Sequence, residues 1–320
     1  MRVVFCGTPQ FAVPPLKHLL AQADFQVVAV ITQPDRPRGR GQEVSFSPIK
    51  EAALAAGTAV YQPEKIRAPE VQTLLQSLAL DVIVIIAYGQ IIPAGLLPIP
   101  KLGWINLHAS LLPKYRGAAP INWAIANGET KTGVTTMRID AGMDTGEILL
   151  QKEMEIGATE TAPELALRMS ELGAPLMAQT LRGLAAGSIT PRPQNHKLAS
   201  LAPIFKKEDG RIDWSRSATE IFHRIRGLAP WPGAYTAFRG QTCHIWGEPA
   251  SKELAGDFRE PDKDLIPGML RAEGSELLVS CGGATSLRVR SVKLEGRKQV
   301  SAAEFLHGAR LLPGERFGQP

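Results

Sequence analysis

The sequence lacks the features that mark secreted, disulfide-bonded and membrane-spanning proteins. It contains only three cysteines in 320 residues, Cys6, Cys243 and Cys281, and no pair has the C-x-x-C spacing. Their odd number and wide separation exclude a disulfide framework and indicate a reducing compartment. No apolar run approaches the ~20 residues of a membrane-spanning helix, and the apolar run at the start is too short for a signal peptide. These absences predict a soluble cytoplasmic protein with no membrane partner.

Motifs for the common redox cofactors and for metal ions are missing as well. No G-x-G-x-x-G is present, and that motif is what brings a helix amino terminus against a pyrophosphate, so a nicotinamide or flavin cofactor has little support. No H-E-x-x-H is present and the six histidines are scattered, so no metal cofactor is expected. Internal repeats, low-complexity tracts and coiled-coil heptads are also absent, which leaves ordinary globular folds to be considered.

The sequence does contain enough apolar material for two folded domains. Of the 320 residues, 44% are hydrophobic and 21% are charged, and a domain typically has about 100–200 residues. The net charge is +5, which fits a polyanionic partner but is too low a density for a histone-like binder. Charge alone is therefore weak evidence for a nucleic-acid partner.

The first domain, predicted over residues 1–187, alternates apolar strand-like runs with helix-like segments. This alternation is typical of an α/β fold, a Rossmann-like and mostly parallel sheet with helices on both faces. The predicted strands cover 2–6, 27–32, 81–87, 103–108 and 133–139. The predicted helices cover 14–21, 47–56, 69–77 and 162–184. Gly173 and Pro175 fall inside the last helix, where they predict a kink or a break.

A proline-bearing polar stretch over residues 188–207 is expected to be a linker. The second domain is predicted over residues 208–320. After one short helix at 219–226 it offers short strands at 234–238, 242–246, 277–280 and 287–292, separated by glycine and proline. This pattern favours a smaller OB-like β-barrel.

Polar side chains at the end of one predicted strand form a candidate site. Asn106 and His108 lie two residues apart in W-I-N-L-H, so both project from the same face of a strand. Parallel sheets bind ligands beyond the carboxyl ends of their strands. Either Asp140 or Asp144, in the glycine-bearing loop after another predicted strand, could orient the histidine. The same residues are also compatible with a hydrogen-bonded strand end and an ordinary turn, which aspartate and glycine favour.

Longer motifs give the sequence a resemblance to a known family. The string N-L-H-A-S-L-L-P at 106–113, continued by Y-R-G-A-A-P-I at 115–121, resembles the signature of folate-dependent formyltransferases. The branch of that family acting on methionyl-tRNA is similar also in F-C-G-T-P at 5–9, T-Q-P-D-R-P at 32–37 and W-P at 231–232. The resemblance spans essentially the whole chain. It implies transfer of a formyl group from 10-formyltetrahydrofolate to the α-amino group of initiator methionyl-tRNA.

The resemblance also assigns roles to individual residues. An Asn, a His and an Asp form the family's catalytic set, and these fall on Asn106, His108 and Asp144. Asn106 and His108 are expected to donate to the developing oxyanion, and Asp144 to orient His108 and favour its charged form. The folate site is expected at the end of the buried strand and at the segment that lines it in the family. Its residues would be Ile86, Tyr88, Gly89, Gln90, Ile91, Ser110, Leu111, Leu112 and Pro113.

Two basic regions are expected to contact tRNA. Arg36, Arg38 and Arg40 alternate with prolines and glycines, so this segment is expected to form neither a regular helix nor a strand and to be a mobile cationic loop. Many members of the family that the sequence resembles continue this loop with lysines. This chain has Gln-Glu-Val at 42–44 instead, which predicts a weaker or redistributed contact. The second region lies in the second domain and comprises Arg288, Arg290, Lys293, Arg297 and Lys298.

Two other functions compete with transfer to methionyl-tRNA. A formyltransferase acting on a small amine or an amino-sugar nucleotide would share the Asn, His and Asp chemistry, but it would have no use for the arginine-rich segments. A non-catalytic RNA-binding protein would explain the charge but would leave Asn106, His108 and Asp144 without a task. The chain is expected to be a monomer.

Overall fold

The computed structural model describes residues 1–38, 43–251 and 266–318, and the chain divides into two compact units. The first unit comprises Met1–Pro120, Lys131–Glu155 and Glu164–Pro203, and the second comprises Ile121–Thr130, Ile156–Pro163 and Ile204–Pro320. Each unit is thus assembled from three separate stretches of sequence. Among the residues described, no helix is both long enough and apolar enough to cross a membrane.

A seven-stranded sheet forms the centre of the first unit. The unit's strands are β1 (Arg2–Gly7), β2 (Gln26–Ile31), β3 (Arg36–Arg38), β4 (Glu43–Ser45), β5 (Val60–Tyr61), β6 (Val82–Ile86), β7 (Trp104–His108), β8 (Lys131–Arg138) and β9 (Ile148–Glu155). The sheet order is β5-β2-β1-β6-β7-β8-β9, and β3 pairs separately with β4. The five strands from β5 to β7 are parallel. The predicted, mostly parallel α/β sheet is therefore confirmed.

The structure adds an antiparallel edge that the sequence pattern did not reveal. Strand β8 runs antiparallel to β7, and β9, which was not predicted, runs antiparallel to β8. The strand order reverses between β1 and β6, and such a switch point in an open α/β sheet is where ligands bind. All five residues of β6 are buried, as expected for a central strand covered on both faces.

Helices of the chain begin where the local sequence satisfies their first turn. Those described up to residue 185 are α1 (Val13–Leu20), α2 (Pro48–Ala55), α3 (Pro69–Ser77), α4 (Pro120–Ala126) and α5 (Ala162–Ala185). Ser47 caps α2 by accepting a hydrogen bond from the Lys50 amide at 3.2 Å. Proline occupies the first or second position of α1, α2 and α3, where its missing N–H has no intrahelical partner to lose. Helix α4 was not predicted; its first two residues, Pro120 and Ile121, end the motif that resembles the formyltransferase signature.

Helix α5 continues through Gly173 and Pro175, so the break expected there does not occur. Met169 and Leu181, on either side of the proline, are both fully buried, and this packing outweighs the loss of one backbone hydrogen bond. Gly173 has a separate purpose. A Cβ atom at this position would stand 2.5 Å from Cδ2 of Leu107 on β7, so glycine lets the helix approach the sheet closely.

The second unit is built around a six-stranded antiparallel sheet, which confirms the predicted smaller β domain. Its strands are β10 (Tyr235–Phe238), β11 (Gln241–Pro249), β12 (Leu270–Glu273), β13 (Glu276–Cys281), β14 (Thr285–Leu294) and β15 (Val300–Ser301), accompanied by α6 (Ala218–Gly227) and α7 (Ala302–Ala309). The order is β10-β11-β14-β13-β12, with β15 beside β14. Phe238, Phe305 and Phe317 meet one another in its core.

The last described residues join the two edges of this sheet. Leu270, on β12, donates its backbone N–H to the Glu315 carbonyl at 2.9 Å, and Gly318 donates to the Ala237 carbonyl on β10 at 2.9 Å. The terminal segment therefore satisfies backbone groups on β12 and β10, which would otherwise be exposed sheet edges. The terminal segment thus bridges β12 and β10, which are the two ends of the strand order.

We expect Gly173→Ala to lower the stability of the first unit. The new methyl group has to displace the buried Leu107 side chain, and overpacking of this kind costs about 1–3 kcal/mol in free energy of unfolding. Gly95→Ala is the matched control in the same unit, because a Cβ there has no neighbour within 4 Å. Thermal unfolding of both variants checks this: equal midpoints for Gly173→Ala and Gly95→Ala would show that the close approach has no energetic weight.

Candidate active site

A cavity of about 430 Å³ opens in the first unit beside the ends of the central strands. Its lining comes from the end of β6 and the segment after it, from β7, and from the loop between β8 and β9. The lining residues are Ile85, Ala87, Tyr88, Gly89, Gln90, Ile91, Ile92, Asn106, Ile139, Asp140, Ala141, Gly142, Met143 and Asp144. Because β6 borders the switch point, the cavity lies where this class of sheet binds its ligands.

Asn106 faces this cavity from the middle of β7. Its backbone lies in register with Ile85 on β6 and Met137 on β8, so the strand is fixed from both sides. Its side chain makes no hydrogen bond to any residue in the described part of the chain. Both amide N–H groups and the carbonyl oxygen of Asn106 are therefore available to a ligand.

His108 is held in one tautomer by the backbone. Its Nε2 lies 2.8 Å from the carbonyl oxygen of Tyr115, and because a carbonyl can only accept, Nε2 carries the hydrogen. Nδ1 is then the nitrogen that faces Asp144, at 3.7 Å from Oδ2. His108 is 6% exposed and does not line the cavity. Because Nε2 is bound to the Tyr115 carbonyl, the expected donation from His108 to an oxyanion could come only from Nδ1.

Asp144 reaches His108 through a loop that folds back along the sheet. The end of β8 lies in register with Ile105, three residues before His108, a separation of about 10 Å along the strand. The Asp144 backbone has φ of +52°, in the left-handed region that aspartate tolerates better than most residues. Its Oδ2 also accepts a 2.8 Å hydrogen bond from the Gly117 amide, which fixes the carboxylate near the imidazole.

The other aspartate of this loop has a structural task. Oδ1 of Asp140 accepts hydrogen bonds from the Gly142 amide at 3.0 Å and from Oγ1 of Thr145 at 2.7 Å. Asp140 therefore ties the loop to itself in an Asx-type turn. Of the two candidate orienting groups, the structure places Asp144, and not Asp140, next to His108.

The residues expected at the folate site divide into two groups. Tyr88, Gly89, Gln90 and Ile91 line the cavity, whereas Ile86 is fully buried in the sheet. The remaining four, Ser110, Leu111, Leu112 and Pro113, do not line it. The Ser110 hydroxyl donates to the Lys114 carbonyl at 2.6 Å, and the Leu112 amide donates to Thr135 Oγ1 at 3.1 Å. These bonds hold the loop after β7 in shape.

Sequence reasoning missed the apolar contribution of the loop between β8 and β9. Ile139 and Met143 line the cavity together with Ile91. Ile91 is 91% exposed and Met143 is 61% exposed, so two large apolar side chains meet solvent in the cavity that Asn106 also lines. A glycine-rich loop has no periodicity from which such a position could be predicted. The only available signal was a methionine flanked by glycine and aspartate.

The first arginine-rich segment forms a strand, contrary to the expectation that it could not. Arg36, Pro37 and Arg38 form β3 and pair antiparallel with β4, Pro37 lying opposite Val44. Alternate positions of an antiparallel pair exchange no backbone hydrogen bonds, so a proline is tolerated at such a position. The Arg36 side chain is exposed. Arg40 and Gln42 lie outside the described residues.

The basic residues of the second unit are not equivalent. On β14, Arg288 forms an ion pair with Glu276, and Arg290 forms one with Glu248, so these two charges are balanced locally. Three further cations, Lys293, Arg297 and Lys298, are exposed and form no ion pair with any residue the structure describes. Arg297 and Lys298 also line a cavity of about 530 Å³ in this unit.

The three thiols are placed where they cannot serve as nucleophiles. Cys6, Cys243 and Cys281 are buried and none lines the cavity beside β6. Burial raises the pKa of both Cys243 and Cys281 to about 12, so the reactive thiolate is scarce at neutral pH. Within the described ranges, no group of three or more His, Cys, Asp or Glu side chains is placed to hold a metal ion.

Comparison with known proteins decides the family. Residues 1–181 match the formyl transferase family and residues 204–310 match the formyl transferase C-terminal domain. Proteins named methionyl-tRNA formyltransferase from Solibacter usitatus and Geobacter sulfurreducens are 52% and 46% identical, each over 100% of this chain and over 99% and 97% of their own lengths. The chain belongs to the methionyl-tRNA formyltransferase family. Both alignments cover the whole chain, so the similarity includes the second unit as well as the first unit with its cavity.

Solved structures share the fold of this formyltransferase at much lower identity. A sugar 3N-formyl transferase, WlaRD, crystallised with dTDP and 5-N-formyl-THF, has a TM-score of 0.64 and 17% identity, covering 93% of this chain and 99% of its own. An N-formyltransferase from Helicobacter canadensis, in complex with folinic acid and dTDP-3-aminofucose, has a TM-score of 0.61 and 18% identity, covering 90% and 98%. These likenesses concern the fold alone.

We expect Asp144→Asn to lower kcat by about 10²-fold or more, because an amide keeps the hydrogen bond from Gly117 but carries no charge to offset an imidazolium on His108. Asparagine also tolerates the left-handed backbone at this position, so the fold should remain intact. Steady-state kinetics with thermal unfolding as the folding control test this. Near-normal kcat in a folded Asp144→Asn protein would show that the carboxylate charge is dispensable.

Proposed function

We propose that the chain transfers the formyl group of 10-formyltetrahydrofolate to the α-amino group of initiator methionyl-tRNA. One observation carries the proposal. Asn106, His108 and Asp144 converge beside one cavity, in a chain 52% identical over its full length to a protein named methionyl-tRNA formyltransferase. The sugar formyltransferases share the fold, but at 17–18% identity to this chain they give no information on its substrate.

The cavity fits a folate as formyl donor. Its volume of about 430 Å³ lies within the ~300–1,000 Å³ range of small-molecule sites. Ile91, Ile92 and Met143 supply apolar surface for an aromatic ring system, and residues 87–90 border the same space. When bound, the folate supplies an activated one-carbon group attached to nitrogen. Asn106 and Asp144 line the same cavity, so that group would meet both of them.

Stabilising negative charge is the larger demand of the reaction. The α-amine of a peptide has a pKa near ~7.7–8.0, and the ester of an aminoacyl-tRNA lowers it further, so much of the attacking amine is already neutral. As the amine adds to the formyl carbon, the formyl oxygen becomes negative. Asn106, whose amide has no other partner among the described residues, donates to that oxygen. A well-placed donor of this kind contributes roughly 10²–10³ in rate.

His108 and Asp144 transfer the protons that the reaction releases and consumes. The new bond joins the amine nitrogen to the formyl carbon, and the bond from that carbon to the folate nitrogen breaks. One proton leaves the attacking nitrogen and one reaches the departing nitrogen. Because Nε2 of His108 is engaged by the Tyr115 carbonyl, Nδ1 exchanges the proton, directly or through water held by Asp144. The Asp144 carboxylate, 3.7 Å from Nδ1, stabilises the protonated imidazole.

The acceptor tRNA is bound by exposed cations, with residues 1–187 as the catalytic domain and residues 208–320 as the tRNA-binding domain. Arg36 on β3 belongs to the cationic segment that follows the end of β2. In the second unit, Arg297 and Lys298 can give their full charge to phosphates, whereas Arg288 and Arg290 are already paired with glutamates. We place the enzyme in the cytosol as a monomer.

A direct comparison of acceptors tests the proposed function. The purified chain, supplied with 10-formyltetrahydrofolate, should formylate methionyl-tRNA with a kcat/KM far above that for an amino-sugar nucleotide or a free amine. Initiator methionyl-tRNA and elongator methionyl-tRNA should be assayed side by side. Efficient formylation of the sugar nucleotide and none of methionyl-tRNA would overturn the proposal in favour of a small-amine enzyme.

The salt dependence of tRNA binding distinguishes bound from merely solvated cations. We expect Lys298→Ala to reduce the slope of log K against log salt by about 0.7–0.9, one phosphate contact, without changing folate binding. Arg216→Ala is the charge-matched control, because Arg216 lies 3.7 Å from both Asp213 and Glu220. Identical slopes for both variants and the wild type would remove Lys298 from the tRNA site. Arg40→Ala tests the segment after β3 in the same assay.

A further inference from the structure

A glutamine in the stretch expected to be a linker contacts the loop that carries Asp144. Gln194 is only 6% exposed, although its neighbours on both sides are exposed. Its Nε2 donates to the carbonyl oxygen of Asp144 at 2.9 Å and to that of Gly146 at 2.8 Å. The Gln194 amide thus donates both of its hydrogens to the backbone of the loop, one to Asp144 and one to Gly146.

The other end of the same amide is held by a buried arginine. Oε1 of Gln194 accepts from Nε of Arg116 at 3.1 Å and from Nη2 at 2.6 Å. Arg116 is 7% exposed, and its two Nη atoms also lie 3.2 Å from Nδ1 of His196. All four hydrogen-bonding positions of the Gln194 amide are therefore filled, an arrangement that fixes its orientation.

Arg116 stands between the two residues that hold His108 and Asp144. The preceding residue, Tyr115, accepts the hydrogen bond from His108 through its carbonyl, and the following residue, Gly117, donates its amide to the Asp144 carboxylate. Gln194 thus links the backbone of Asp144 to the short segment that positions the side chains of both catalytic residues.

The linker stretch also holds this segment through its backbone. The Arg116 amide donates to the Ser200 carbonyl at 2.8 Å, and the Ala202 amide donates to the Arg116 carbonyl at 2.7 Å. A Cβ on Gly117, whose φ is +116°, would stand 2.8 Å from the Ala202 carbonyl oxygen. Residues 194–202 and 115–117 are therefore in direct contact over several residues.

We propose that Gln194 is a positioning residue for formyl transfer, one that holds the left-handed turn at Asp144 so that its carboxylate faces His108. The inference rests on the catalytic role proposed for that pair. Left-handed φ at a residue other than glycine persists only where its surroundings enforce it, and the two hydrogen bonds from Nε2 to the carbonyls of Asp144 and Gly146 supply that constraint. Gln194 touches neither substrate nor reacting atom; it acts through Asp144.

Two substitutions at Gln194 distinguish the contacts of its amide nitrogen from those of its amide oxygen. Gln194→Met keeps the length of the side chain and removes all four hydrogen bonds. Gln194→Glu keeps an acceptor for Arg116 but has no N–H to offer the carbonyls of Asp144 and Gly146. We expect both variants to lower kcat by roughly 10- to 100-fold, the effect of a misplaced catalytic group. KM for methionyl-tRNA should stay within about twofold, because uniform binding is unaffected.

Asn195→Ala is the control variant and should retain wild-type kcat, because among the described residues the Asn195 amide bonds only to the Lys197 backbone, from whose N–H it accepts. Normal kcat in Gln194→Glu alongside impaired Gln194→Met would overturn the inference, since the Arg116 contact would then be what counts. So would normal kcat in both.

A double-mutant comparison distinguishes positioning from general support of the fold. If Gln194 acts through the Asp144 carboxylate, then adding Gln194→Met to Asp144→Asn should change kcat by less than about twofold. Multiplication of the two single effects would overturn the inference and assign Gln194 a structural role. A wild-type kcat in Asp144→Asn alone would instead overturn the proposed role of Asp144, and the inference with it, and the two failures are therefore distinguishable.

Discussion

The hydrogen bond from the Gly117 amide to the Asp144 carboxylate is the contact on which the candidate site depends. Asp144 belongs to the loop after β8, and β8 ends beside Ile105, three residues away from His108 along β7. The Gly117 amide gives the Asp144 carboxylate a donor near His108, and the hydrogen bonds from Gln194 hold the backbone of the same loop. The bond also keeps the carboxylate at its observed distance from the imidazole, because a carboxylate oxygen can accept from an amide while facing a second group.

The sequence predicted those features that repeat regularly along the chain. Strands with continuous apolar residues, such as β6, and the shared face of Asn106 and His108 followed from two-residue alternation. The antiparallel direction of β8 could not be predicted, because an apolar run does not show in which direction its strand will pair with a neighbour. Asp144 came only from the resemblance, since nothing local distinguishes it from Asp140. The contribution of Gln194 depends on a contact fifty positions away in sequence, beyond any local pattern.

The count of basic residues overstated the unpaired positive charge of the second unit for a similar reason. Counting cations along β14 treats Arg288 and Arg290 like Lys298, yet the glutamates that balance them lie on β11 and β13. Neighbouring strands are joined through backbone register, which brings together residues far apart in sequence. A β sheet can therefore hide charge from its surroundings in a way that composition does not reveal. An arginine in a sheet is evidence for a phosphate contact only after its cross-strand partners are known.

The passage of the chain through residues 194–202 has a consequence for how the catalytic unit forms during synthesis. All seven strands of the first sheet are complete by Glu155, but residues 164–203 also belong to that unit. A chain ending at residue 187 would contain Asn106, His108 and Asp144 but neither Gln194 nor Ser200, which contact the segments that hold them. If Gln194 holds the turn at Asp144 as proposed, the sheet is encoded before the contacts that order the site, and the site is completed only after the stretch beyond helix α5 has joined the unit.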